Sequence, residues 1–145
     1  APQPQEQLEE APDFTLTDIY GREFSLSDFR GKIVILDFFA TWCGPCRQEV
    51  GELKRLRDEF GDDIVIISIS VDPEYDTDER LRQFAEENGM DWWVARDTAG
   101  VKEAYQVGPI PTLIIVDQDG SMRYRHVGLT GYEVLKQEVE ELLEA

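Results

Sequence analysis

The sequence predicts a three-layer α/β/α fold around a mixed central sheet. Two apolar runs, residues 33–39 and 64–70, lack the alternation of a strand with one wet face, so both faces of each strand should be covered. A segment of helical periodicity follows each run, and this β-α-β order places helices on a parallel pair of strands. Two further strands flank Asp117–Gly120, a hairpin signal that makes the sheet mixed.

An N-terminal hairpin should precede the central sheet. Residues 14–17 and 23–26 alternate apolar and polar side chains around Tyr20-Gly21, which is typical of two strands joined by a turn. Residues 1–11 are rich in Pro, Gln and Glu, and they predict a disordered leader or tether. The folded domain is then expected at residues 12–145.

The first core strand, residues 33–39, should follow a short helical turn at residues 27–29. A helix is predicted from Cys43 to about Phe60, and Gly61 and the two aspartates after it should end it. Its apolar stripe is formed by residues spaced three or four apart: Val50, Leu53, Leu56 and Phe60. The second core strand comes directly afterwards.

The rest of the chain supplies an insertion and the closing elements. The expected elements are, in order, a helix at 76–88, a strand at 92–94, a short helix at 101–105, strands at 112–116 and 122–127, and a last helix at about 132–143. The run from Asp76 to Glu79 is typical of a helix start, and Gly89 of a helix stop. About 40 residues separate the second core strand from Pro111, which leaves room for an inserted βα element.

Charge excludes two classes of partner. The chain carries 14 basic and 31 acidic residues, a formal net charge of −17. Such a balance argues against binding to nucleic acid or to anionic membrane surfaces. No run approaches the ~18 apolar residues needed to span a bilayer.

The residues alone leave the compartment open. Two cysteines in one motif can be catalytic in a reducing or an oxidising space. The chain starts without Met, as it would after removal of a signal peptide or a membrane anchor, or in a recombinant fragment. An extracytoplasmic location, periplasmic or membrane-tethered, is favoured, with a cytoplasmic one kept as the alternative.

The segment Trp42-Cys43-Gly44-Pro45-Cys46 contains both cysteines of the chain in a C-x-x-C pair. A C-x-x-C between a buried strand and a helix is typical of a redox dithiol. Cys43 should lie at the helix N-terminus, where free N–H groups and the helix dipole favour a thiolate. Cys46, one turn further on, can close a disulfide with it. We therefore predict that Cys43 is the nucleophile and Cys46 the resolving thiol.

The segment Asp37–Cys46, together with Ile110-Pro111-Thr112, resembles thioredoxin, and the resemblance extends from about Phe14 to the C-terminus. The hairpin and the insertion are similar to the branch that contains TlpA- and ResA-like proteins, which are mostly extracytoplasmic, membrane-tethered thiol–disulfide oxidoreductases. Peroxiredoxins share this elaborated fold. The resemblance implies a thioredoxin-like fold, reduction of protein disulfides by a Cys43/Cys46 cycle, and a cis peptide bond before Pro111.

The resemblance also implies roles for two acids. Asp37 interrupts an apolar strand, so its pKa should be raised; thioredoxin carries Asp there, where it is thought to relay a proton to or from the resolving cysteine. Many TlpA-like proteins carry Asn instead, whereas the ResA-like branch has an acid at the position of Glu49. Having both departs from either pattern and leaves open which acid dominates. The alternatives are that Asp37 reaches solvent and that Glu49 is an ordinary exposed helix residue.

Substrate contacts are expected around the dithiol. A cis X-Pro bond exposes the preceding backbone groups, which can pair with an extended substrate strand. In the family, the residue before the dithiol and a loop after the last strand rim the groove. The predicted substrate-binding set is Trp42, Gly44, Pro45, Ile110, Pro111 and Gly128.

The expected partners are protein disulfide substrates and an upstream thiol or disulfide electron donor, with no cofactor, no metal and a monomeric chain. Gly44-Pro45 resembles reducing members, and a disulfide oxidase or isomerase is the alternative. A thiol peroxidase is disfavoured because Ala40 stands where peroxiredoxins carry Thr or Ser. A metallochaperone is disfavoured by the two-residue spacing, and a closed zinc site by the presence of one histidine, His126.

Overall fold

The computed structural model of the protein describes residues 9–144. Its strands and helices follow one another in this order: β1 (Thr15–Thr17), β2 (Glu23–Ser25), β3 (Ile33–Phe39), α1 (Gly44–Phe60), β4 (Ile64–Ser70), α2 (Asp78–Asn88), β5 (Trp93–Arg96), α3 (Val101–Ala104), β6 (Thr112–Val116), β7 (Met122–Val127) and α4 (Tyr132–Glu144). Short 3₁₀ turns at Leu26–Phe29 and Gly61–Asp63 lead into β3 and β4. No helix within residues 9–144 has the length and apolarity of a membrane span.

β3 lies at the centre of a five-stranded sheet with the order β5-β4-β3-β6-β7. β3, β4 and β5 are parallel, whereas β6 is antiparallel to both β3 and β7. β1 and β2 form a separate antiparallel pair. The predicted mixed sheet, N-terminal hairpin and inserted βα element are confirmed.

The antiparallel pairing of β3 with β6 decides where the site is assembled. Phe38, near the end of β3, pairs with Thr112 at the start of β6. The turn before α1 and the segment before β6 therefore meet at one edge of the sheet, which we call the dithiol edge.

The sheet separates two apolar clusters. Ile35 and Phe39 face the cluster that contains side chains of α1, α2 and α4. Leu36 and Phe38 face the cluster formed with the hairpin and with Val101 of α3. Because side chains alternate along a strand, Asp37 belongs to the same series as Ile35 and Phe39 and faces α1.

Several predicted boundaries shift by one or two residues, among them the starts of α2 and β5. α2 begins at Asp78 with Thr77 as its N-cap, whose hydroxyl accepts a hydrogen bond from the Arg80 N–H. The predicted start at Asp76 is wrong. The buried Asp76 carboxylate accepts hydrogen bonds from Thr41 and Ser70, and it does not cap the helix. β5 begins at Trp93, the first residue of this segment that pairs with β4.

Residues 9–11 belong to the folded part of the chain. The Ala11 N–H donates to the Gly120 carbonyl over 2.8 Å, and the Met122 N–H donates to the Glu9 carbonyl over 2.9 Å. Ala11 is buried. The prediction of a disordered leader over residues 1–11 is therefore wrong for its last three residues, and its first eight lie outside the described residues.

Candidate functional site

The dithiol lies where β3 turns into α1. Cys43 is the N-cap residue of α1, and its sulfur accepts a hydrogen bond from the Cys46 N–H over 3.2 Å. Pro45 occupies the first turn, where a missing N–H costs no helical hydrogen bond. Cys43 and Cys46 are joined in a disulfide with their Cα atoms 5.2 Å apart. The pair therefore sits at the positive end of the helix dipole, as the sequence predicts.

The disulfide is buried beneath exposed neighbours. Cys43 is 6% exposed and Cys46 is 2% exposed. Trp42 precedes it with 54% of its surface exposed. Gly44 is half-buried and Pro45 is exposed. The exposed Trp42 and Pro45 therefore lie on either side of Cys43 in the chain.

The segment before β6 completes the dithiol edge. The peptide bond between Ile110 and Pro111 is cis. The Pro111 carbonyl accepts a hydrogen bond from the Gly128 N–H over 2.8 Å, which ties the loop after β7 to this segment. Val127 and Leu129 on either side of Gly128 are more than half exposed. The structure therefore brings this loop and the proline segment together.

Asp37 is buried on the side of β3 that α1 covers. It is 2% exposed, so the alternative that it reaches solvent is wrong. The Ser68 hydroxyl donates to its Oδ2 over 2.7 Å, and the Trp92 indole N–H donates to the Ser68 Oγ over 2.9 Å. Burial raises the pKa of Asp37 to about 7, while the Ser68 hydrogen bond opposes that rise. Asp37 can therefore take up and release a proton near neutral pH.

Glu49 is also buried, with 1% of its surface exposed, so the alternative of an ordinary exposed residue is wrong. Its Oε2 accepts a hydrogen bond from the Thr130 N–H over 2.8 Å. Its Oε1 is the buried side-chain atom without a hydrogen-bond partner among residues 9–144. Burial, then the Asp37 carboxyl and more weakly Glu52, raise the pKa of Glu49 to about 8, against the lowering effect of the Thr130 N–H.

The two acids act on one another. Asp37 is the nearby charge that raises the pKa of Glu49 most, so ionisation of one carboxyl opposes ionisation of the other. Glu49 lies three residues after Cys46 on the same face of α1, and that face packs on the side of β3 that carries Asp37. The pair can hold a proton in the interior behind the resolving sulfur.

Sequence reasoning missed Ser68 and Thr130. Ser68 is the β4 residue paired with Asp37 in the β3–β4 register, so two polar residues at matching positions of two apolar strands were the available signal. The Thr130 contact had no local signal, because it joins residues 81 positions apart.

No metal centre accompanies these groups in the part of the chain that the structure describes. Within residues 9–144, no group of three or more His, Cys, Asp or Glu side chains is placed to hold a metal ion. His126 is half-buried on β7, and its Nε2 lies 2.8 Å from Oε1 of Glu138 on α4. The side chain of this histidine therefore contacts α4.

Comparison with known proteins gives matches over most of the chain. The model of the AhpC/TSA family matches residues 8–125. The thioredoxin-like protein YneN of Bacillus subtilis (strain 168) is 33% identical over 136 residues, which are 94% of this chain and 78% of YneN. The thiol-disulfide oxidoreductase ResA of Geobacillus thermodenitrificans is 35% identical over 136 residues, which are 91% of this chain and 75% of ResA.

Solved structures show the same architecture. The thioredoxin domain of a thiol-disulfide oxidoreductase from Bacteroides vulgatus is 29% identical with a TM-score of 0.78, covering 90% of this chain and 96% of that one. The pneumococcal exposed lipoprotein thioredoxin Etrx1 of Streptococcus pneumoniae is 28% identical with a TM-score of 0.76, covering 90% and 100%. The fold, the C-x-x-C pair at the start of α1 and these matches agree: the chain belongs to the AhpC/TSA family and has a thioredoxin-like fold.

Proposed function

We propose that this protein is a thiol–disulfide oxidoreductase that reduces disulfides of protein substrates. The observation that carries the proposal is the Cys43–Cys46 disulfide at the N-terminus of α1, with Cys43 as the N-cap residue of that helix. Relatives and structural neighbours named thiol-disulfide oxidoreductases support the reaction class.

The reaction is two successive thiol–disulfide exchanges. In the reduced enzyme, the Cys43 thiolate attacks one sulfur of the substrate disulfide, forms a mixed disulfide and releases the other substrate sulfur as a thiolate. Cys46 then loses its proton and attacks the Cys43 sulfur, which releases the second substrate sulfur. Two electrons pass to the substrate, and the enzyme is left with the Cys43–Cys46 disulfide seen in the structure.

Asp37 and Glu49 supply proton transfer at the second exchange. Cys46 is buried, so bulk water has little access to its proton. With pKa values raised to about 7 and about 8, the two carboxyls are poised to exchange a proton near neutral pH. Both carboxyls are therefore proposed to take part in the relay, and variants of each residue separate their contributions.

Substrate binding is assigned to the dithiol edge. Trp42 offers an exposed indole next to Cys43 in the chain, and the loop at Gly128 offers two exposed apolar side chains at the same edge of the sheet. The backbone of Ile110 is proposed to pair with an extended substrate segment. Gly44 and Pro45, at the exposed start of α1, complete the contact set.

The electron donor is proposed to be a second thiol protein that reduces the Cys43–Cys46 disulfide. A location outside the cytoplasm is proposed as well, supported by the neighbour named an exposed lipoprotein thioredoxin. The reduction potential of the couple, measured by equilibration with glutathione or dithiothreitol, tests the direction. A strongly oxidising value would favour the oxidase or isomerase alternative.

An insulin-reduction assay with dithiothreitol tests the reaction itself. The wild-type protein should accelerate precipitation of the insulin B chain, and Cys43→Ser should give the uncatalysed rate. Peroxide consumption measured in parallel tests the thiol-peroxidase alternative. Rapid peroxide consumption without insulin reduction would overturn the proposal.

A further inference from the structure

Asp76 is a fully buried carboxylate that contacts the active-site turn, residues 40–42. It is 0% exposed. Its Oδ2 accepts hydrogen bonds from the Thr41 N–H over 3.1 Å and from the Ser70 hydroxyl over 2.6 Å. Its Oδ1 accepts from the Thr41 hydroxyl over 2.5 Å. Both donors of Thr41 therefore end on one carboxylate, two residues before Cys43.

The backbone around Asp76 is fixed to the sheet by Arg96. Asp76 lies in residues 71–77, the insertion loop between β4 and α2. Arg96 on β5 donates from Nε to the Asp76 carbonyl over 3.1 Å and from Nη2 to the Pro73 carbonyl over 2.5 Å. The insertion loop is therefore fixed to the sheet before it reaches the turn.

The same loop holds the exposed indole beside the dithiol. The Trp42 Nε1–H donates to Oδ2 of Asp72 over 3.0 Å. Oδ1 of Asp72 accepts from the Tyr75 N–H over 3.3 Å, which orients that carboxylate. An exposed side chain without such a bond would change rotamer freely. The insertion loop thus fixes the backbone of the turn through Asp76 and the orientation of the indole through Asp72.

We propose that Asp76 is a positioning residue that gives the enzyme its preference for protein disulfides, by fixing Thr41 and hence the placement of Trp42 beside Cys43. The proposal rests on the function proposed above. Asp76 touches no reacting sulfur, so its loss should weaken binding of a chain that spans the rim and leave the intrinsic reactivity of Cys43 in place. A preorganised rim saves the ordering cost that a mobile rim incurs on binding.

The test uses three variants and a matched control. Asp76→Ala removes the acceptor. Asp76→Asn keeps an oxygen for the Thr41 N–H and the Ser70 hydroxyl, while its NH₂ can donate to the Thr41 hydroxyl. Thr41→Val removes one of the two Thr41 bonds. The control is Asp117→Ala, which removes a buried carboxylate that accepts from the Asp119 and Ser121 N–H groups at the opposite edge of the sheet.

Steady-state insulin reduction and alkylation of reduced Cys43 by iodoacetamide are measured for each. Asp76→Ala should raise KM for insulin about tenfold, as a misplaced contact does, and change the alkylation rate by less than about twofold. Asp76→Asn and Asp117→Ala should keep the wild-type KM. A folded Asp76→Ala with wild-type KM, or an equal loss in both assays, would overturn the positioning role.

Hydrogen exchange at the Thr41 amide supplies a readout besides activity. Asp76→Ala should accelerate it by about tenfold or more, because that amide loses its acceptor, and Asp117→Ala should not. If wild type fails to reduce insulin, the proposed function fails, while unchanged exchange would count against the Asp76 contact alone. If Asp76→Ala does not fold, Thr41→Val decides: a KM raised about threefold supports the role, and an unchanged KM overturns it.

Discussion

At the scale of single residues, the Ser68 hydroxyl influences the pKa of the buried Asp37 carboxyl. Ser68 accepts a hydrogen bond from the Trp92 indole N–H and donates one to Asp37. This bond stabilises the charged form of Asp37 against the burial that raises its pKa to about 7. Without Ser68 the carboxyl would stay protonated further into the alkaline range.

Cys46→Ser should trap the mixed disulfide between Cys43 and a substrate. Cys43 can still attack, but the buried residue that resolves the adduct no longer carries a thiol. Non-reducing gels of pull-downs should show substrate adducts with Cys46→Ser and none with Cys43→Ser. The same adduct pattern from both variants would show that the assigned roles are wrong.

Asp37→Asn should slow release of the reduced substrate. Removal of a positioned proton acceptor should lower the resolution rate by about 100-fold and abolish its rise through pH 7. Stopped-flow kinetics of the mixed disulfide between pH 5 and about pH 9 provide the measurement. Ser68→Ala is the matched variant, and it should move the inflection to higher pH. An unchanged pH profile in Asp37→Asn would shift the relay role to Glu49.

The same residue makes a thermodynamic prediction. The folded-state pKa of Asp37, about 7, lies above its unfolded value, so its contribution to stability is full below pH 4 and is lost as pH rises through 7. The loss is on the order of 4 kcal/mol by pH 8 or above. Urea unfolding of the oxidised protein should therefore show Asp37→Asn gaining on wild type between pH 5 and about pH 8. Parallel curves would contradict the raised pKa.

At the scale of elements, two glutamates of α1 are hydrogen-bonded to the segment that follows β7. Glu49 of this helix accepts a hydrogen bond from the Thr130 N–H. Glu52, three residues further along α1, accepts one from the Tyr132 N–H at the start of α4 over 2.8 Å. The Gly128 N–H in turn reaches Pro111. A movement of the loop after β7 is therefore resisted from two sides.

Two Glu49 variants separate charge from this tether. Glu49→Gln keeps an acceptor for the Thr130 N–H, so KM should stay unchanged while the pH profile loses its contribution near pH 8. Glu49→Ala removes the acceptor as well, so KM should rise and the free energy of unfolding should fall by about 1–3 kcal/mol. Insulin kinetics and urea unfolding provide the two measurements. Equal KM values in the two variants would show that the bond to Thr130 plays no part in binding.

Continuous apolar strands and local motifs were predictable from the sequence. β3 and β4 begin and end where their apolar runs do, because strands covered on both faces carry few polar residues. The start of α2 was not predictable, since Asp76 precedes Glu79 by three residues as in a capping box, yet distant donors on Thr41 and Ser70 claim its carboxylate.

The site also combines features that the local sequence predicts with features that depend on distant contacts. The Cys43–Cys46 pair is a local motif, and its place at a helix start follows from neighbouring residues. The burial of Glu49 had a signal, because it lies four residues before Leu53 and seven before Leu56 on the apolar stripe of α1. An acid at such a position indicates either a partner or a raised pKa. Which loop would cover it depends on long-range packing that no local pattern contains.

At the scale of the whole molecule, the net charge of −17 should govern encounter with substrates. Attraction between this field and a basic substrate weakens as salt shortens the Debye length from about 30 Å at 0.01 M to about 8 Å at 0.15 M. We expect kcat/KM for a basic protein disulfide to fall several-fold over that range and that for an acidic one to rise. Insulin-type assays on two substrates of opposite charge provide the comparison. Absence of salt dependence for both would contradict electrostatic steering.

The pairing of residues 9–11 with the turn before β7 has a geometric consequence. That turn lies at the end of β6 away from Pro111, and β3 spans about 20 Å between the two ends of the sheet. Residue 9 thus lies at the pole opposite the sulfurs. A bead, a fusion protein or a surface coupled through residue 9 would hold the molecule with its reactive pole facing outward. Immobilised in that orientation, it should retain access to large folded substrates.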